Sequence, residues 1–164
     1  DFGVGDVIVP KQEKRKIPIQ LDDFVAPTIN TYSTETTVAE KIDAILSLME
    51  FSSRMKDYYD IYYLANKFDF DGKVLTEALR KTFKNREHNF TVEQFEQVMR
   101  FDSDGAMQRK WKAFVRKIDT KTDDYSTVLK TIKAFLTKPF TATVENKELA
   151  ERWNAAENQW KKGV

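Results

Sequence analysis

From Ser33 to the carboxy terminus, apolar residues recur at spacings of three and four, and this periodicity restricts most of the chain to helices packed on one core. Val38, Ile42, Ile45 and Met49 mark a first helix, capped by Ser33 or Thr34, carrying Glu35 in its first turn and ending near Glu50. Leu75, Ala78, Leu79 and Phe83 predict another, Val92, Phe95, Val98 and Met99 the next, and Trp111, Phe114, Val115 and Ile118 a further one. Val128, Leu129, Ile132, Phe135 and Leu136 form a helix expected to stop at Pro139. Leu149, Trp153, Ala156 and Trp160 fit a last one, which makes five helices after the charged segment described below. Their aromatic residues read as core.

The amino-terminal part differs. Val7–Val9 and Lys16–Leu21, broken by Pro10 and Pro18, predict two short edge-like strands, followed by an irregular stretch over Asp22–Tyr32. The predicted class is mainly α, an α+β chain with a short amino-terminal strand pair and a helical bundle, divided into residues 1–31 and 32–164. At 41% hydrophobic and 13% aromatic content the chain can bury one sizeable core. No run approaches the length of a membrane span. The absence of cysteine excludes disulfides and thiolate metal sites and suits a reducing cytoplasm. Twenty-seven basic residues against 26 acidic leave no global field for nucleic acid. Binding of that kind must be local, at Arg80, Lys81, Lys84 and Arg86, or at Arg109, Lys110, Lys112, Arg116 and Lys117 beside Trp111, although a solvated helix face with interspersed acids is the better reading of each patch.

The segment Ser53–Leu64 concentrates charge on an amphipathic helix. With Ser52 or Ser53 as its cap, Arg54, Asp57, Asp60 and Leu64 follow one another along one face, while Met55, Tyr58, Tyr59, Ile61, Tyr62 and Leu64 form an apolar band. Arg54 with Asp57 and Lys56 with Asp60 have the spacing of helical ion pairs. Lys41 borders the apolar stripe of the preceding helix, near Glu40 and Asp43, and in isolation reads as a snorkelling surface lysine.

Two motifs carry more information than these pairs. Glu35, Thr36, Ala39, Glu40 and Lys41 spell E-T-x-x-A-E-K, and Arg54, Lys56, Asp57 and Asp60 spell R-x-K-D-x-x-D. In that order they resemble the AbiEii/AbiGii family, abortive-infection and toxin-type members of the nucleotidyltransferase superfamily. The passage Asp1-Phe2-Gly3-Val4-Gly5-Asp6-Val7-Ile8 resembles the end of the family's catalytic sheet, which would make Asp1 its third metal-binding carboxylate and residues 1–31 the end of that sheet with its connector. The resemblance implies transfer of a nucleotide from a nucleoside triphosphate to an RNA, such as transfer RNA, or to a protein hydroxyl, with Mg²⁺ as cofactor. It implies Lys41 as a triphosphate contact, Asp57 as an acid facing the reacting centre, Arg54 and Lys56 on phosphate, and Asp60 and Glu40 in support. It further implies an antitoxin protein as partner, a bacterial cytoplasmic address and a role in phage defence.

In the superfamily a Gly-Ser turn is followed some ten residues later by an Asp-x-Asp pair, both upstream of the passage that Asp1 resembles, and no Gly-Ser dipeptide occurs in these 164 residues. The chain therefore reads as the carboxy-terminal portion of a larger transferase, expected to be inactive alone. The alternative is a non-catalytic helical module that docks an antitoxin or RNA. Other motifs fail on chemistry: Phe68-Asp69-Phe70-Asp71 lacks a preceding Gly-Ser turn, and Asp71 reads as a helix cap. The calcium-loop echo at Arg100–Gly105 begins with a cation, so Asp102, Ser103 or Asp104 reads as a helix start. His88, the sole histidine, supports neither a zinc site nor a histidine triad.

Overall fold

Ser33 starts the helical part of the chain by accepting the Thr36 backbone N–H on its hydroxyl at 3.1 Å, and α1 (Thr34–Leu48) follows. The computed structural model describes residues 8–10, 13–18, 25–118 and 121–162. After α1 come α2 (Met55–Lys67), α3 (Gly72–Asn85), α4 (Val92–Val98), α5 (Gly105–Ile118) and α6 (Tyr125–Val144). Most helix starts are fixed by side-chain acceptors, as the sequence predicts for Asp71, which takes the N–H groups of Lys73 and Val74, and for Asp104, which takes that of Met107. Thr91 and Gln94 close a reciprocal capping box on α4.

An antiparallel pair, β1 (Glu13–Lys16) and β2 (Thr28–Thr31), precedes the helices. A three-stranded antiparallel sheet in the order β3 (Phe70–Asp71), β4 (Glu151–Asn154) and β5 (Gln159–Lys162) closes the chain. The result is mainly α with some β. The core runs through α1 (Val38, Ala39, Ile42, Ile45), α2 (Tyr58, Ile61), α3 (Leu75, Leu79) and α6 (Ile132, Leu136), all fully buried. Helix α1 packs on α2 and α3, and α6 closes over both. Among the described residues no helix is long and apolar enough to cross a membrane.

Four expectations change. The strands are not where apolar alternation puts them: β1 is the charged run Glu13–Lys16, and Ile8 and Val9 lie outside any strand, while Val7 and Ile19–Leu21 fall outside the described residues. The stretch read as irregular contains β2, built from β-favouring Thr28, Ile29 and Thr31. Helix α2 begins at Met55 with Arg54 as its N-cap, because the Ser52 hydroxyl turns to accept the Arg54 N–H at 3.2 Å instead of capping the helix. Four helices, not five, follow α2, since the segment read as the last one is the β4–β5 hairpin.

A further expectation changes at Pro139, which does not end α6. Proline has no N–H to give the carbonyl four residues earlier, so the Phe135 oxygen loses its helical partner. The indole N–H of Trp160 supplies one at 2.8 Å, and the helix continues to Val144. Trp160 also stacks on Phe135 with ring planes 2° apart, and lies directly opposite Trp153 in the hairpin register. Trp153 in turn donates to the Ala65 carbonyl at 2.7 Å, which ties the hairpin to the end of α2. Gly72 is needed where the hairpin crosses α3: a Cβ there would meet the Glu151 carbonyl oxygen at 2.5 Å.

This arrangement makes the cost of losing the indole N–H depend on the proline. Trp160→Phe keeps an aromatic ring on Phe135 but leaves a buried carbonyl unpaired, and is expected to lower stability by about 1–2 kcal/mol in chemical denaturation. In a Pro139→Ala background the helix can supply its own N–H, so the same substitution should cost clearly less. Equal costs in both backgrounds would refute the substitution of indole for backbone.

Candidate functional site

The two motifs meet across the α1–α2 interface. Lys41, on α1, points its ammonium between two carboxylates of α2, 3.0 Å from Asp57 Oδ1 and 2.6 Å from Asp60 Oδ2. Arg54 Nε reaches the other Asp57 oxygen at 2.5 Å, and Lys56 Nζ shares Asp60 Oδ2 at 2.6 Å. Helical spacing explains the second set, since Arg54 and Asp57 are three apart and Lys56 and Asp60 four. Only tertiary packing brings in Lys41, sixteen residues from Asp57.

Burial divides the network into an inner and an outer part. Asp57 is 3% exposed and engaged on both oxygens, whereas the side chains of Arg54 and Lys56 are 57% and 71% exposed. Burial acts to lower the Lys41 pKa, but hydrogen bonds donated to Asp60 and Asp57 outweigh it and hold the ammonium above the ordinary lysine value. Lys41 is therefore a fixed cation at neutral pH and not a base. Asp57 faces its cations and no open cleft.

Glu40, expected in support of Lys41, turns instead to Arg86 just past α3. The same arginine donates to Asp43 at 3.0 Å, and His88 Nδ1 lies 2.8 Å from the other Asp43 oxygen. Asp43 is fully buried, and burial raises its pKa, partly offset by His88. Neither Asp43 nor the anchoring role of Thr36 was anticipated. Their signal is positional: Thr36, Ala39 and Asp43 recur at three and four on the buried stripe, so a polar residue there demands a partner. The Thr36 hydroxyl accepts the Val9 N–H at 2.8 Å, which pins the segment before the hairpin to the start of α1.

The basic patches resolve differently. Arg80 donates to the Lys147 carbonyl, Lys81 pairs with Glu77, and Arg86 is held by α1, so little of the first patch is available. On α5, Arg109, Lys112, Arg116 and Lys117 are exposed. Lys110 is structural, donating to the carbonyls of Glu50 and Ser52 at 3.0 and 2.9 Å and so fixing the loop that presents Arg54. Trp111 is no surface platform: it is buried, and its N–H donates to the Asp123 carbonyl.

Among the described residues no group of His, Asp and Glu side chains converges to hold a metal ion. Asp57 and Asp60 are committed to cations and do not fit a Mg²⁺ clamp. Asp1, expected as a metal ligand, lies outside the described residues.

The raised Lys41 pKa sets a pH window. A cation stabilised by folding contributes fully below its unfolded pKa and loses that contribution as pH rises through the folded one. Lys41→Met is expected to cost about 2 kcal/mol, discounted from a fully buried pair because the side chain is 18% exposed. In denaturation experiments the difference should stay level to about pH 9 and narrow only above the ordinary lysine value of 10.5. A difference that fades near neutrality would contradict a protonated Lys41.

No curated protein and no solved structure matches the chain. The family model for the nucleotidyl transferase AbiEii toxin of type IV toxin–antitoxin systems matches residues 1–146, from the amino terminus to just past α6. It covers both motifs and every helix and leaves the β4–β5 hairpin outside. With both motifs interlocked across α1 and α2 and a match of this extent, the chain belongs to the AbiEii nucleotidyl transferase toxin family.

Proposed function

We propose that the α1–α2 network is the triphosphate-facing part of a nucleotidyltransferase site. The observation that supports this most is that Lys41 of the first motif is clamped by both acids of the second, so the family's two signatures build one rigid cationic group. In the proposed reaction an acceptor oxygen bonds to the α-phosphorus of a nucleoside triphosphate, and pyrophosphate leaves with the electrons of the broken phosphoanhydride. Arg54 and Lys56 contact the phosphates from the surface, and Lys41 contributes a fixed positive charge behind them, where preorganisation makes it most effective. Asp57 acts through Lys41 and Arg54 as a positioning residue, and Asp60 braces Lys41 and Lys56.

In this reading the residues from 32 onward form the helical unit that closes on the nucleotide, and residues up to 31 lead into it from the catalytic sheet. Mg²⁺ and the base that takes the acceptor proton belong to residues other than the described carboxylates. An antitoxin encoded with the protein is the proposed partner, and a hydroxyl-bearing RNA or protein the acceptor.

The protein expressed from its natural reading frame provides the test. Lys41→Ala and Arg54→Ala should each reduce transfer of label from an α-labelled nucleoside triphosphate by at least about tenfold, with growth inhibition falling in parallel. Arg54→Ala is the more decisive, because its exposed side chain can be removed without unfolding the core. Full transfer by the folded variants would reassign the network to structure and favour a helical docking module.

A further inference from the structure

Beside the charged network, α2 carries aromatic side chains that the core covers only in part. Tyr59, Tyr62 and Tyr63 line a cleft of 400 Å³ with Lys121, Thr122 and Asp123 of the segment before α6. Tyr63 is 46% exposed. Its ring lies on that of Tyr59, with centroids 6.4 Å apart and planes 25° from parallel, and Tyr59 rests on Phe114 of α5 at 5.9 Å. The three rings form a ladder whose outer end is open.

The walls are rigid. Tyr62 donates to Asp123 Oδ2 at 2.5 Å, and the Asp123 carbonyl accepts the Trp111 indole N–H at 3.1 Å. Burial and the bond to Asp123 push the Tyr62 pKa up to about 12, so this hydroxyl stays a donor across the physiological range. The Thr122 hydroxyl is buried in the wall without a hydrogen-bond partner. Among the described residues, Asp60 is paired with Lys41 and Lys56, while Asp123 accepts the Tyr62 hydroxyl and keeps its charge on the wall.

Cations flank the ladder on both sides. Lys121 is exposed at the cleft. Helix α5 runs beside α2 in the same direction, since Lys110 holds the carbonyls ahead of α2 while Phe114 meets Tyr59. Lys117, exposed one turn after Phe114, is thereby carried toward the end of α2 where Tyr63 stands. Toward the start of α2, Lys56 lies seven residues before Tyr63, about 10 Å along the axis on the same face.

We infer that this tyrosine ladder is a binding site for single-stranded nucleic acid, which stacks an unpaired base on Tyr63 and lays its backbone between Lys121 and Lys56. Flat aromatic faces flanked by Lys121, Lys117 and Lys56 suit bases and phosphates rather than a peptide. A base inside a duplex cannot offer its face to Tyr63, and a blunt end offers one face but no free strand to lie between Lys121 and Lys56, so duplex is disfavoured by shape. The inference rests on the transfer reading only in naming the acceptor class: a strand held here passes beside Lys56 and Lys41.

Fluorescence anisotropy of the full chain with a labelled, unstructured oligoribonucleotide of about six residues tests it. The strand should bind and its blunt duplex should not. Tyr63→Ala should weaken binding by roughly tenfold and Tyr63→Phe should restore it, while Lys121→Ala should flatten the salt dependence. Unchanged affinity in Tyr63→Ala, or equal affinity for duplex, overturns the site. Lys41→Ala separates the two readings. Loss of transfer with no strand binding in the parent sinks the groove alone, whereas strand binding as expected with transfer intact in Lys41→Ala sinks the network's catalytic role alone.

Discussion

Two buried carboxylates, one between α1 and α2 and one between α1 and the end of α3, govern how these helices are set. Asp57 on α2 and Asp43 on α1 are each removed from water, and a desolvated carboxylate persists as an anion only where cations and hydrogen bonds replace its hydration. Asp57 draws Lys41 from α1 and Arg54 from its own helix; Asp43 draws Arg86 and His88 from the end of α3. Helix α1 is thereby pinned to both neighbours by directional contacts, in addition to the apolar surface it shares with them. Apolar packing alone would tolerate small slides along α1, but a shift of one turn would separate Lys41 from both its acids. The network is consequently a structural register device before it is anything chemical.

The apolar spacing made the helices legible because each buries one stripe, and a stripe on a helix has a period that no loop imitates over several turns. Its failure at the carboxy terminus has a specific cause. Trp153 and Trp160 are seven apart, which is two helical turns, yet the same two residues are directly opposed across the hairpin. Asn158, with φ at 51°, supplies the left-handed residue that the turn requires, a conformation asparagine adopts more readily than most. Pro139 misled for a related reason. A proline is a helix stop when the freed carbonyl has no other donor, and the donor here comes from Trp160, whose approach no local pattern encodes. The β1 strand was hidden because its residues are all charged and show no apolar alternation.

At the site, local spacing carries part of the contact pattern and misses the rest. Local spacing gave Arg54 with Asp57 and Lys56 with Asp60, and both pairs are present. The bridge from Lys41 was invisible to spacing, and only the resemblance placed it near phosphate. Glu40 was assigned to the wrong neighbour because adjacent positions on a helix point in directions about 100° apart: Lys41 faces α2, while Glu40 faces Arg86. Tyr59 and Tyr62 belong to the apolar band read from the sequence, and Tyr63 stands outside it. Packing against α5 covers Tyr59 in part and leaves Tyr63 open, a distinction that depends on where α5 lies.

The network's composition bears on how a saturated set of ion pairs can still receive an anion. Lys41, Arg54 and Lys56 stand against Asp57 and Asp60, three formal cations to two carboxylates, so the group keeps one positive charge in excess after every pair is made. That excess is not buried. Asp57 holds the inner ends of Lys41 and Arg54, while the free donors of Arg54 and Lys56 point outward from side chains more than half exposed. A phosphate arriving from solvent need not break an inner contact; it replaces water on guanidinium and ammonium groups that are already oriented. A buried positioning acid flanked by exposed cations thus costs less to engage than a free lysine would, because the ordering entropy of the outer side chains is partly met by the fold.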